Sequence, residues 1–261
     1  MRDGECMRPV LERFLKAKAT YSSAAVVQSH MQDRLITLLK QALADARPYP
    51  SAQNPKPHFS HALEFGCGVG DLTRKLLEHF SFAHLLCNDI HDYSTHLPIE
   101  AEFLRFDMEN LDTLRAHLLD RFSSESFELI ISNACLQWLD QPRFFKNITA
   151  FCKKDSLLAL SCFGKQNLHE LRALTHIGLD YLTLEDYREL LKEEWEIVEL
   201  CEEEEILHFS TPLEALRHLK HTGVNSLSPH FPITKSLLEK YNERYQNTLT
   251  YHPIYLIAKR R

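Results

Sequence analysis

Apolar residues at Val27, Met31, Leu35, Leu38, Leu39 and Ala42 recur at the spacing of one helix face, so a helix is expected from Val27 onward. Residues 47–57 carry four prolines and little apolar content and read as a connector. Short apolar runs then alternate with helical stretches. The runs at 62–65, 84–87, 103–106, 127–132 and 157–163 read as strands. Between them, Leu72, Leu76, Leu77 and Phe80 share one helix face, and 111–119 and 142–151 are expected to be helical. This alternation implies an α/β fold with a parallel sheet covered by helices on both faces. After Gly164 the pattern becomes helix-rich over 168–191, followed by an acidic strand at 195–209, helices at 212–221 and 233–246, and a last strand at 255–258.

Composition narrows the class. With 261 residues, 44% of them hydrophobic, the chain can bury a full core. Its net charge of −6 argues against a general nucleic-acid binder, which needs a basic surface. The seven cysteines are odd in number, form no C-x-x-C pair and fall partly in apolar runs, so neither a disulfide framework nor a zinc site is expected. His58 and His61, placed in a loop beside prolines, lack further ligands at metal-site spacing. The glutamates at 202–205 read as a solvated strand end. The first 25 residues scatter charge without an apolar stretch, unlike a signal peptide, and no run approaches the ~20 residues of a membrane helix. A soluble, cytoplasmic protein without a resident metal or membrane contact is expected.

The chemistry concentrates at Glu64-Phe65-Gly66-Cys67-Gly68-Val69-Gly70. Three of the chain's seven glycines sit there, between an expected strand and an expected helix. Glycine is needed where backbone must turn tightly and approach something closely. A dinucleotide fingerprint would place its third glycine at position 71, which is Asp71. The G-x-G-x-G spacing suits S-adenosyl-L-methionine better than a pyrophosphate, since that cofactor carries an ammonium, a carboxylate and a sulfonium. Glu64 is expected to attract the cationic methionine end, with Gly66, Cys67, Gly68 and Gly70 lying against the cofactor. Asp89, ending the second strand, is placed to take both ribose hydroxyls. Asp107, at the end of the third, is placed for the adenine amino group, with Met108 near the ring.

These residues resemble class I methyltransferases over about 62–163. The outer motifs resemble a narrower family, the malonyl-acyl-carrier-protein O-methyltransferases of biotin synthesis. They are Phe14, Tyr21, Ala25 and Gln28 before the first strand, Ser132-Asn133-Ala134-Cys135-Leu136-Gln137-Trp138 after the fourth, and Phe163-Gly164 after the fifth. Leu219-Lys220-His221-Thr222-Gly223-Val224-Asn225 and Thr250-Tyr251-His252 complete them. The stretch Ile90-His91-Asp92-Tyr93-Ser94 departs from the pattern, lacking the usual serine-led helix start.

The resemblance implies a doubly wound, mostly parallel seven-stranded sheet in a single domain. Residues 1–57 would form an N-terminal helical lid and linker, 58–164 the cofactor core, 165–250 a helical substrate lid with one strand, and 251–261 the final strand. It also implies methyl transfer to the free carboxylate of a malonyl thioester on acyl-carrier protein or coenzyme A. That carboxylate is ionised at neutral pH, so alignment and dehydration matter more than a general base. Tyr21 and Gln137 are the implied catalytic residues, Gln28 and Asn133 further cofactor contacts, and Trp138 a substrate contact. Arg172, Arg217 and Lys220 are alternative readers of the malonyl carboxylate, with Arg172 and Lys220 foremost. Arg143, Lys146, Lys153 and Lys154 offer a basic rim for an acidic carrier protein. Two other readings stay open: methylation of a free small carboxylic acid, and a catalytically silent binding subunit of the same fold.

Overall fold

The computed structural model describes residues 26–46, 56–121, 126–221 and 233–261. Helix α1 (Val26–Ala46) buries the expected stripe of Val27, Met31, Leu35, Leu38 and Leu39. Strand β1 (His58–Phe65) leads through the glycine turn into α2 (Asp71–His79), then β2 (Ser81–Asp89) and β3 (Ala101–Arg105). Next come α3 (Asp112–Arg121), β4 (Phe127–Asn133), α4 (Gln141–Ile148) and β5 (Cys152–Phe163). Lys75 of α2 ties α1 alongside, reaching the Ser29 carbonyl at 3.0 Å and the Asp33 carboxylate at 2.6 Å.

The strands are longer than their apolar runs. β1 starts four residues before Ala62 and β5 five before Leu157, because pairing continues past the buried layer, where polar side chains are tolerated. His58 and His61 therefore stand in β1 rather than in a loop. The His61 ring stacks on its register partner His84 at 5.0 Å.

The remaining elements are α5 (His169–Thr175), α6 (Leu184–Leu191), β6 (Trp195–Glu202), β7 (Glu205–His208), α7 (Pro212–His221), α8 (Lys235–Tyr245), β8 (Thr248–Tyr251) and β9 (Pro253–Arg260). A seven-stranded sheet runs in the order β3-β2-β1-β4-β5-β9-β6. The β1–β2, β1–β4, β2–β3 and β4–β5 pairs are parallel, and β6–β9 is antiparallel. The order reverses between β1 and β4, and in such sheets the crevice beyond the carboxyl ends of the strands at that switch point is where ligands bind.

The helix-rich stretch 168–191 resolves into two short helices. Leu168 and His176 adopt left-handed backbone (φ 51° and 57°) at either end of α5, and a Thr183–Asp186 capping box starts α6 afresh. The acidic strand at 195–209 is likewise divided. β6 joins the large sheet, whereas β7 pairs with β8 in a separate two-stranded sheet. The break falls at Glu203 and Glu204, where consecutive like charges remain exposed.

The chain divides into two compact units. Gln28–Cys162, Leu182–Glu202 and Ile254–Arg261 form the unit of the large sheet, and Phe163–Tyr181 and Glu203–Pro253 belong to the other. The sheet's core packs Leu63, Phe65, Ile130, Phe144, Tyr187 and Trp195. In the second unit, buried Glu170 on α5 accepts a 2.6 Å bond from the Thr250 hydroxyl of β8. Among the described residues, no helix is long and apolar enough to cross a membrane.

Candidate functional site

The turn after β1 lies at the switch point and needs each glycine for its own reason. Gly66, Gly68 and Gly70 all adopt positive φ, at 65°, 52° and 83°. A Cβ on Gly66 would meet Cys135 Sγ at 2.4 Å, and one on Gly70 would meet Leu97 Cδ2 at 2.7 Å. A Cβ on Gly68 would have nothing within 4 Å. The turn is fastened to the end of β2, since the Cys67 N–H donates to the Asn88 carbonyl and the Gly68 N–H to Asp89 Oδ2, both at 3.0 Å. The Ser132 hydroxyl donates to the Phe65 carbonyl at 2.7 Å, fastening it to β4. Gly66→Ala is expected to destabilise the fold by about 2–4 kcal/mol, combining backbone strain with overpacking against Cys135. Urea denaturation checks this.

Glu64 is the most unusual group here. It is 1% exposed, and its hydrogen-bonding neighbours are the Thr73 hydroxyl and the Cys87 thiol rather than a cation. Burial pushes its carboxyl up to about 8, with Asp71 and Asp89 adding to the shift. A carboxylate in such a place calls for a cation.

Asp89 is half-buried, and burial raises its pKa against the opposing backbone donors. Its Oδ2 accepts from Gly68 and its Oδ1 from the His91 N–H at 3.0 Å, with the Ile90 N–H also directed at the carboxylate, which as a pure acceptor suits the hydroxyls of a vicinal diol. Asp107 lies two residues past the end of β3, exposed, with Oδ1 accepting from the Glu109 N–H. Burial pushes the Cys135 thiol up to about 12, and both Asp89 and Asp107 add to the shift, so both acids lie within electrostatic reach of the cysteine that packs on Gly66. Met108 packs into the apolar core of the sheet. Cys67 is buried next to Cys87; their hydrogen bond and burial raise the Cys67 thiol, whereas the same hydrogen bond lowers the Cys87 thiol, which burial and Glu64 nonetheless hold above its ordinary value.

At the end of β4, Asn133 is engaged at both ends of its side-chain amide. Its Oδ1 accepts from the Ser161 hydroxyl at 2.6 Å and its Nδ2 donates to the Gln28 carbonyl at 3.2 Å. Gln137 is buried in a short 3-10 turn, where its Nε2 donates to the Ala134 carbonyl and its Oε1 has no partner among the described residues. Gln28 is also buried, with no partner for its Nε2 among the described residues. Trp138 closes the same 3-10 turn and is half-exposed, so it is not a core tryptophan. A buried donor and a buried acceptor, both unsatisfied, together with a buried carboxylate, fit a zwitterionic ligand end.

Tyr21 lies outside the described residues, as do positions 222–225 of the motif begun at Leu219. Lys220 lies in α7, but its side chain is outside the described residues. Arg217 is exposed. Arg172 is half-buried, donating to the Lys165 carbonyl at 2.6 Å and lying over the Tyr181 ring. The expected basic rim is dispersed. Arg143 pairs with Glu109 and Lys153 with Glu128, and Lys153 and Lys154 lie in the first residues of β5, at the end of the parallel strands away from the glycine turn.

Several residues at this site were not anticipated. Arg74 of α2 donates to the Val69 carbonyl and to the His96 carbonyl, both at 3.0 Å, binding the turn to the loop after β2. Tyr93 in that loop is buried, and its phenol is pushed up to about 12 by burial and by Asp89 and Cys67. Gln32, one helical turn after Gln28, is buried with no partner for its Oε1 among the described residues. The only sequence signal was the departure of residues 90–94 from the family pattern.

A family model described as a methyltransferase domain matches residues 63–158. A malonyl-[acyl-carrier protein] O-methyltransferase of Bacteroides helcogenes is 34% identical, over 96% of this chain and 97% of that one. Its namesake in Haemophilus influenzae is 32% identical, over 96% and 93%. Among solved structures, the YcgJ protein of Bacillus subtilis aligns with a TM-score of 0.57 at 10% identity, over 89% of this chain and 98% of that one, a likeness of fold. With its glycine turn and acidic strand ends at the switch point of this sheet, and with relatives matching it almost end to end, the chain belongs to the malonyl-[acyl-carrier protein] O-methyltransferase family.

Proposed function

We propose that the protein esterifies the free carboxylate of a malonyl thioester, on acyl-carrier protein or coenzyme A, with S-adenosyl-L-methionine as methyl donor, in the early steps of biotin synthesis. The carrying observation is that buried Glu64, without a cation partner among the described residues, meets the glycine turn and Asp89 in a chain that matches those relatives nearly end to end.

When bound, S-adenosylmethionine supplies an electrophilic sulfonium methyl. In this reading Glu64 takes the ammonium and Gln28 Nε2 the carboxylate of the methionine end. Asp89 takes the ribose hydroxyls and Asp107 the adenine amino group. Asn133, with both side-chain ends engaged, acts by positioning Gln28 and the end of β4. Gln137 and Trp138 orient the acyl end, Tyr21 donates to the malonyl carboxylate, and residues 165–250 serve substrate recognition. No proton has to be removed from a nucleophile that is already a carboxylate. These side chains therefore work by alignment and desolvation, effects worth on the order of 7–11 kcal/mol in favourable cases.

The substrate class is tested by offering malonyl-carrier protein, malonyl-coenzyme A and free dicarboxylic acids side by side with the cofactor. Ester formation on the thioesters is expected. Turnover of the free acids alone would favour the free-acid methyltransferase reading.

A further inference from the structure

The loop after β2, where the chain departs from its family's pattern, carries a group that none of the assigned roles uses. His91 Nε2 is buried and has no hydrogen-bond partner among the described residues. An imidazole nitrogen so placed forfeits hydrogen-bonding free energy unless something else meets it. The surroundings are built rather than loose. The His91 N–H is fixed on Asp89 Oδ1, and its ring meets the Tyr93 ring edge to face at 6.4 Å. Tyr93 in turn meets His96 at 6.1 Å. The far end of the loop is held by Arg74 on the His96 carbonyl and by Leu97 against Gly70. Asp92 caps the bend, accepting from the Ser94 N–H at 3.0 Å. The loop is thus fastened to the glycine turn at both ends, with the imidazole near enough to the Asp89 carboxylate to interact with its charge.

Resting on the cofactor reading above, we propose that His91 is a second ribose-reading residue, whose Nε2 shares the cis-diol of a nucleoside ligand with Asp89. Asp89 can only accept, and the Gly68 and His91 backbone engage two of its four lone-pair directions, with the Ile90 N–H also directed at the carboxylate. A neutral imidazole nitrogen can donate to, or accept from, a hydroxyl according to tautomer. It adds a contact at the diol that a carboxylate with two engaged lone pairs lacks. Loss of the contact is expected to weaken binding about tenfold, the effect of one buried hydrogen bond.

The test measures calorimetric affinity for S-adenosylhomocysteine and for its 2′-deoxy and 3′-deoxy analogues, in wild type, H91F, D89N and the double variant. H91F keeps the ring and its contact with Tyr93 but lacks the nitrogens. The proposal expects H91F to lose about tenfold on the intact diol and almost nothing on one of the deoxy analogues. It also expects the H91F loss to persist in the D89N background. Equal losses on all three ligands would reduce His91 to packing, and a loss that vanishes beside D89N would mean that it acts only through Asp89. Either result overturns the contact, as does unchanged affinity in H91F. Failure of the wild-type protein to bind S-adenosylhomocysteine is a separate result, which would contradict the cofactor reading itself.

Discussion

Gly68→Val is expected to weaken S-adenosylmethionine binding by about a hundredfold or more, roughly 2.7 kcal/mol, while the protein still folds. The two halves of that expectation have different causes. A β-branched residue at φ +52° carries backbone strain of about 1–3 kcal/mol, which lowers the melting temperature by several degrees. The added Cβ meets no protein atom within 4 Å among the described residues. It projects instead from the backbone that the cofactor is proposed to lie against. Gly66→Ala differs in mechanism, since its Cβ meets Cys135 and the loss is one of stability. Titration calorimetry and thermal melting of the two variants separate the cases. Unchanged affinity in Gly68→Val would remove the glycine turn from the cofactor site.

Glu64→Gln is expected to do opposite things to binding and to stability. The free protein holds the Glu64 carboxyl near 8, so at pH 7 it is mostly neutral. A cationic ligand end favours the ionised form, so binding releases a proton, and affinity rises with pH up to about 8 before levelling. Glu64→Gln flattens that profile and weakens binding roughly ten- to hundredfold above pH 8, as expected for a lost charge-assisted contact. The stability effect follows from the same shift. The folded-state pKa lies above the ordinary 4.5, so between those values the folded chain retains a proton that the unfolded chain has released. Stability from this group is full below 4.5 and is lost as pH rises through 8, by roughly 1.4 kcal/mol per pH unit within the window. The cofactor-free Glu64→Gln protein therefore melts above wild type at pH 8.5 and close to it at pH 5. Parallel melting curves at both pH values would contradict the isolation of Glu64.

Local patterns carried much of this account. The apolar runs at Leu63, Leu85, Leu129 and Leu158 mark the buried half of each parallel strand, and the glycines at 66, 68 and 70 mark the turn that must approach a ligand. Strand ends were less legible, because His58, Ser81 and Cys152 pair beyond the buried layer and need not be apolar. The β7–β8 sheet was invisible to periodicity. It pairs four-residue segments some forty positions apart, and Leu207 finds Leu249 only through the fold. At the site, residue identity pointed to Glu64 and Asp89, but the state of each group came from packing. Nothing in the sequence says that Asn133 is already engaged at both ends, or that, among the described residues, Glu64 meets no cation and His91 Nε2 no hydrogen-bond partner. The dispersal of Lys153 and Lys154 is a matter of strand direction, which spacing alone does not fix.

The most direct test is mass spectrometry of malonyl-carrier protein after incubation with this protein and methyl-deuterated S-adenosylmethionine. The account predicts one added labelled methyl on the malonyl group, removable by mild base as an ester, and none on an acetyl-carrier protein, which has no free carboxylate. An unmodified malonyl-carrier protein in the presence of cofactor that binds would contradict it, as would equal labelling of the acetyl form.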